Sequence, residues 1–258
     1  YQTKTNSQFL PEFYYNHKPN GSPTNFKYKG VAPTGVLPKE VNFPLYKNEE
    51  SKDFQILVFG DPQPYNLKEV DYFKRGIIDE VKNNKKQAVF GISLGDLVGN
   101  DLSLQPAYID AVKEIGLPWY NIIGNHDMNY EATEDKMSDE TFEANFGPAN
   151  YAFNYGNVHF INLDDILYPD PRDGKEYYGG LREDQLNFIE NDLKLVDKNK
   201  LIVLSFHIQM NPESINEDHF RMADRKRLFD ILKPFKNVLM MSAHTHKQSQ
   251  IFYTKKDG

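Results

Sequence analysis

The sequence predicts an α/β domain built on a largely parallel but mixed sheet, and three observations carry that reading. From Phe54 onward, apolar runs of strand length alternate with amphipathic stretches of helix length. The segment Tyr155-Gly156-Asn157-Val158 reads as a tight hairpin, which turns one strand back on its neighbour. Residues with oxygen and imidazole side chains stand just past the strand ends, where open α/β sheets hold their ligands.

The expected strands are Gln55–Phe59, Ala88–Leu94, Trp119–Ile123, Tyr151–Tyr155, Val158–Leu163, Leu201–Phe206, Val238–Ser242 and Gln250–Tyr253. Helices are expected between them, at Leu67–Asn83, Leu104–Ile115, Ser138–Phe146, Arg182–Leu195 and Ala223–Leu232. Acidic residues open the helix at 182, where they favour its dipole. Leu181, Leu186, Ile189 and Leu193 form its core face. Residues 1–50 differ from the rest. They are rich in Pro, Asn, Gly and aromatics and lack helical periodicity, with a short strand candidate at Phe26–Tyr28. They read equally as the remnant of a small β module with a linker, or as an extended arm on the main domain at 51–258. The chain opens on Tyr1 and closes on Lys256-Asp257-Gly258, a turn signal with no returning strand, so both ends are expected to continue.

Composition narrows the function classes. Hydrophobic residues at 39% supply a real core, and 26% charged residues mark an ordinary soluble chain. No apolar run approaches the roughly 18 residues that cross a membrane. A net charge of −7 disfavours binding to a nucleic-acid backbone. With no cysteine, disulfide frameworks and thiolate zinc sites are excluded. No heptad or exposed apolar stripe appears, so a monomer is expected.

Five strand ends carry donors in order: Gly60-Asp61-Pro62-Gln63, Gly95-Asp96-Leu97-Val98-Gly99-Asn100, Gly124-Asn125-His126-Asp127, Ser205-Phe206-His207 and Ala243-His244-Thr245-His246. These are the ligand types of Zn, Mn, Fe or Co. Each glycine is expected to turn the backbone out of its strand, and His244 and His246 to share one face of an extended segment. One such turn means little, since Gly-Asp commonly caps helices and a lone His is commonly structural. Five in order make coincidence a poor account.

The series resembles the calcineurin-like metallophosphoesterase signature, D-x-H, G-D-x-x-D/N, G-N-H-D/E, H and G-H-x-H, over roughly residues 54–253. The resemblance implies two mixed β-sheets packed as a sandwich, helices outside, and a dinuclear centre at one edge. It implies Asp61, Gln63, Asp96 and His246 around a first metal, and Asn125, His207 and His244, with Asp96 bridging, around a second. The ions would be divalent or trivalent: Mn, Fe, Zn or Mg. His126 would be general acid or phosphate stabiliser, Asp127 its orienting partner, and Asn100 would orient either the substrate or a group that supports the site. The sequence departs from the pattern at Gln63, where the family has His, and at Ala243, where it has Gly. As a ligand, Gln63 offers a harder, weaker carbonyl donor that shifts the first site towards iron, manganese or magnesium or loosens its metal; the other reading is that Gln63 only hydrogen-bonds near the site.

The implied activity is hydrolysis of a phosphomonoester or phosphodiester with a metal-bridging hydroxide as nucleophile. The substrate would be a phosphorylated small molecule, lipid or glycan. The alternative is a binding protein for a phospho-ligand or glycan on the same fold. Relatives with an added N-terminal β module are commonly exported bacterial proteins, so a periplasmic or surface location is expected. Outside the motif, His159 is expected to be structural, and His17, His219, Arg221 and Arg225 to be exposed. The segment Asp164–Gly180, with Asp164-Asp165 and Tyr177-Tyr178, is expected to border the cleft, its residues reading either as pocket lining or as ordinary surface loop.

Overall fold

The computed structural model describes residues 2–3, 11–43, 45–47, 49–85, 87–170, 174, 176–210, 219, 221–223 and 225–253. A short antiparallel pair, β1 (Gln2–Thr3) and β2 (Leu45–Tyr46), precedes the main body. The strands β3 (Gln55–Phe59), β4 (Ala88–Leu94) and β5 (Trp119–Ile122) then form a parallel three-stranded sheet in that order. A second sheet has the order β11 (Asn237–Met241), β10 (Leu201–Ser205), β7 (Val158–Asn162), β6 (Tyr151–Tyr155). It is mixed: β11, β10 and β7 run parallel, and β6 returns antiparallel through the expected two-residue hairpin, with Tyr155 opposite Val158. A small pair, β8 (Ile166–Leu167) and β9 (Tyr178–Gly179), stands beside them.

Strand periodicity sorts the side chains into layers. Phe90, Ile92 and Leu94 of β4 meet Val158, Phe160 and Val203 of the other sheet, so the two sheets share one apolar interior. Edge-to-face rings tie it together: Phe90 lies 5.4 Å from Phe160 and 5.7 Å from Phe153. The alternate residues face outward. Trp119 lies on Gly91, where a Cβ would sit 2.1 Å from the indole. That face is covered by α1 (Leu67–Phe73), α2 (Asp79–Asn84) and α3 (Gln105–Lys113), through Val70, Tyr108 and Val112, with Ile78 from the turn that joins α1 to α2. Next in the chain, α4 (Glu140–Phe146) follows β5 and joins the same cluster through Phe142. On the far side, α5 (Glu183–Leu193) and α6 (Arg225–Leu232) cover Ile161, Ile202 and Leu204. The expected core face of α5, Leu186, Ile189 and Leu193, is buried there together with Leu181. His159 is buried in the same layer, with Nε2 2.5 Å from Asp192.

Several local expectations are corrected. The helix expected at 67–83 contains a π-helical turn, Lys74–Ile78, around Gly76, which offers no side chain to resist the wider turn. Gln250–Tyr253 is not a strand: no described strand lies alongside it, Phe252 is 83% exposed and Tyr253 packs on Phe229. Phe26–Tyr28 is a bend. Arg225 is buried, because it lies on the same helical face as Leu228 and Leu232. Residues 11–43 are irregular and lie along α4, where Lys18 pairs with Glu140 and Glu143 at 2.5 Å each.

Asp139, just before α4, is 7% exposed, and its Oδ1 has no hydrogen-bond partner. Burial, reinforced by Glu143, pushes its carboxyl up from 3.8 to about 7. Between those two values the folded chain keeps a proton that the unfolded chain has lost. Stability therefore falls as pH rises through that window. Asp139→Asn is expected to stabilise the fold by about 1–3 kcal/mol at pH 8 and by less at pH 5. Urea denaturation at both pH values checks this; a gain that does not grow with pH contradicts it.

Candidate metal centre

All five donor blocks emerge at one edge of the sandwich. Asp61 and Gln63 follow β3, Asp96 and Asn100 follow β4, and Asn125, His126 and Asp127 follow β5. From the other sheet, His207 follows β10, and His244 and His246 follow β11. The backbone there is strained in a specific way. The non-glycine residues with positive φ among the described residues are Asp61 (46°), Gln63 (43°), Asp96 (50°), Asn100 (64°), His244 (69°) and His246 (53°). Such conformations cost about 1–3 kcal/mol each and persist where surrounding structure enforces them.

The turns were expected at the glycines, but of the three strand-end glycines only Gly95 (φ 91°) is left-handed. Elsewhere the candidate ligand residue makes the turn itself. Gly124, at φ −117°, supplies room instead: a Cβ there would lie 2.2 Å from Asp96 N and 2.3 Å from its Oδ1. His244-Thr245-His246 is likewise not extended, and its two histidines fall in different donor groups.

Two donor groups result. Asp96, His207 and His244 form one, Asp61, Asp96 and His246 the other, with the donor atoms of each group within 4.8 Å of one another. Asp96 belongs to both. Asn125 joins the first group, its Oδ1 3.1 Å from His207 Nε2. Gln63 touches the shared carboxylate, its Nε2 donating to Asp96 Oδ2 at 3.2 Å; a half-turn of the amide would present the carbonyl oxygen instead.

The hydrogen bonds commit protons away from the centre. His207 Nδ1 donates to Leu94 O at 2.8 Å, and His244 Nε2 to His219 O at 2.6 Å. This leaves His207 Nε2 and His244 Nδ1 facing each other at 3.2 Å, with Asp96 Oδ1 3.3 Å from His207 Nε2. A single proton serves one of these acceptors, whereas a metal ion satisfies them all, so the donor set fits a cation. Electrostatics agrees. Burial alone would depress the His207 imidazole, but Asp96 lifts it to about 9. Burial, then the charge on His207, pushes His244 down to about 4. Asp96 stays below the ordinary carboxylate range despite burial, held by His207 and His126.

His126 stands at the mouth. Its backbone N–H donates to Asp96 Oδ1 at 2.9 Å, and its Nε2 lies 4.0 Å from Asp96 Oδ2. The partner expected for its ring, Asp127, is elsewhere. The Asp127 carboxylate is fully buried and accepts the N–H groups of Leu97 (3.0 Å), Val98 (3.2 Å) and Gly124 (3.0 Å). The ring's Nδ1 instead meets Asn100 Oδ1 at 2.8 Å. Asp127 therefore splices the second and third loops together, and Asn100 takes the orienting position.

Sequence reasoning missed several participants. Asp165, in the segment expected to border the cleft but without an assigned role, is buried and accepts His207 N and Ile208 N; its place just past β7 was the available signal. His219, expected at the surface, supplies the carbonyl that fixes His244. Tyr177, within the segment expected to border the cleft, presents its ring to His244 at 6.3 Å. Tyr130 donates its hydroxyl to Asn125 O at 2.7 Å. Neither tyrosine had a distinguishing local pattern.

Carboxylate, carboxamide and imidazole donors in two groups that share one carboxylate, set on the edge of a helix-flanked β-sandwich, are the makings of a metal-dependent phosphoesterase. The chain belongs to the calcineurin-like phosphoesterase family, whose pattern it matches over residues 54–248. It is 25% identical over 195 residues to a probable glycerophosphodiester phosphodiesterase GpdQ of Arcobacter nitrofigilis, covering 74% of this chain and 68% of that one. Its fold resembles that of a dimetal phosphatase from Danio rerio, with a TM-score of 0.52 at 15% identity, over 75% of this chain and 82% of the other. No helix among the described residues is long and apolar enough to cross a membrane.

Proposed function

We propose that this chain hydrolyses a phosphodiester at a two-ion centre, with Asp96 as the shared ligand. The observation that carries the reading is the membership of Asp96 in both donor groups. The similarity to a probable glycerophosphodiester phosphodiesterase favours a diester over a monoester. Ions held there would polarise the phosphoryl group and acidify the attacking water. The chain's own residues do the rest. Asp61 and His246 close one donor group, and Asn125, His207 and His244 the other. The Leu94 and His219 carbonyls hold the two rings in the tautomers that leave a lone pair inward. Asn100 accepts from His126 Nδ1, so a second proton taken up by the ring sits on the opposite nitrogen, which can pass it to the departing ester oxygen. With its amide turned over, Gln63 would supply an oxygen where the family has imidazole.

Elemental analysis, paired with hydrolysis of p-nitrophenyl phosphate and bis(p-nitrophenyl) phosphate after addition of Mn, Fe, Zn or Mg, tests the reading. Two ions per chain and faster turnover of the diester are expected. Fewer than one ion per chain with no turnover under any metal would favour the phospho-ligand-binding alternative.

A further inference from the structure

We infer that Tyr65 is a specificity-determining residue: its ring forms the wall against which the leaving group of the ester packs, so that leaving alcohols carrying a flat ring are taken in preference to short polyols. The inference rests on the phosphodiester reading and on the role of His126 in it.

Tyr65 is 50% exposed at the mouth of the centre, and its ring meets the His126 imidazole edge-on, with centroids 6.0 Å apart at 78°. An ester oxygen that accepts a proton from His126 must carry its substituent past this ring. The ring is held in place from below. It lies on Gly99, where a Cβ would come within 2.6 Å of it, so the glycine is the seat of the tyrosine. Gly99 N donates in turn to Pro64 O at 2.9 Å. Tyr65 N donates to Glu69 Oε2 at 2.7 Å, and the other oxygen of Glu69 accepts from Asn66, the cap of α1. The chain thus spends a helix cap and a glycine to fix a half-exposed aromatic beside the proton donor. The hydroxyl also lies within the field of Asp96, which adds to burial in raising it. Across the centre, Tyr177 stands edge-on to His244 at 6.3 Å and 80°. The cleft therefore has two aromatic walls. A ring buries a face against such a wall and gains aromatic contact, whereas a glycerol moiety has no face to bury.

Steady-state kinetics of wild type, Tyr65→Ala and Tyr65→Phe on bis(p-nitrophenyl) phosphate and glycerophosphoethanolamine tests this, with whichever of Mn, Fe, Zn or Mg supports turnover. The alanine variant is expected to raise KM for the aryl diester about tenfold and for the glycerol diester less than twofold. The phenylalanine variant is expected to keep the aryl KM near the wild-type value. An equal rise for both esters, no rise for either, or a phenylalanine variant as impaired as the alanine one would overturn the inference while leaving the hydrolase standing. No turnover of any ester by wild type would overturn the phosphodiester reading and this inference with it. Bound-metal content, expected to be the same in all three proteins, separates a loss of contact from a damaged centre.

Discussion

Asp96→Asn is expected to lower diester turnover by about a thousandfold or more, equivalent to ~4 kcal/mol of transition-state stabilisation, and to reduce metal content below that of the parent. The substitution is a fine probe because it is nearly isosteric. Asparagine keeps an oxygen able to accept His126 N, which Asp96 Oδ1 now does at 2.9 Å. It loses the second anionic oxygen, the one that lets a single side chain serve both donor groups. Removing that charge also removes the main influence that lifts His207 to about 9, so the preference of this pocket for positive charge collapses with it. Turnover and elemental analysis on the same preparations decide the matter. Retention of full metal content with near-normal turnover would mean that Asp96 is not the shared ligand.

Asp127→Ala is expected to act through stability rather than through the acid–base step. Three N–H groups, those of Leu97, Val98 and Gly124, lose their common acceptor inside a site closed to water. Each orphaned buried donor costs about 1–3 kcal/mol, so a loss of roughly 3 kcal/mol or more is expected. Part is offset, because burial already opposes the Asp127 charge and pushes its carboxyl up to about 7. Urea denaturation measures the loss, and a pH–rate profile measures the alternative. A variant of unchanged stability whose pH profile moves would restore Asp127 as the orienting partner of His126, the role its place in the sequence pattern implied.

The contrast between these two aspartates marks what a sequence conveys here. The blocks around Asp61, Asp96, His126, His207 and His244 were legible because each follows an apolar run of strand length. The strands themselves end within a residue of expectation, as at Trp119–Ile122 and Leu201–Ser205. The hairpin at Gly156-Asn157 was legible from its turn residues. What a single chain does not display is which groups meet across the sandwich. Asp61 accepts the backbone N–H of His244 at a separation of 183 residues, and no local pattern announces that pairing. The same holds for the carbonyl that His219 lends to His244 and for the Asp165 carboxylate beneath His207. Nor does sequence reveal that the left-handed turns fall on the donor residues themselves. Glycine is the residue that adopts such turns readily; elsewhere the packing around the loop imposes them.

The two donor groups draw on both sheets. Asp61, Asp96 and Asn125 rise from the three-stranded sheet, His207, His244 and His246 from the mixed one. Beneath them the sheets adhere through apolar side chains, whose attraction is in itself non-directional. An ion gripped from both sides would be a rivet through the rim, adding directional bonds where the two sheets open to solvent. Whatever binds the folded chain and not the unfolded one raises the free energy of opening. The ions that serve chemistry at this edge would therefore also be mechanical fasteners, and stripping them would loosen the rim of the sandwich before its interior.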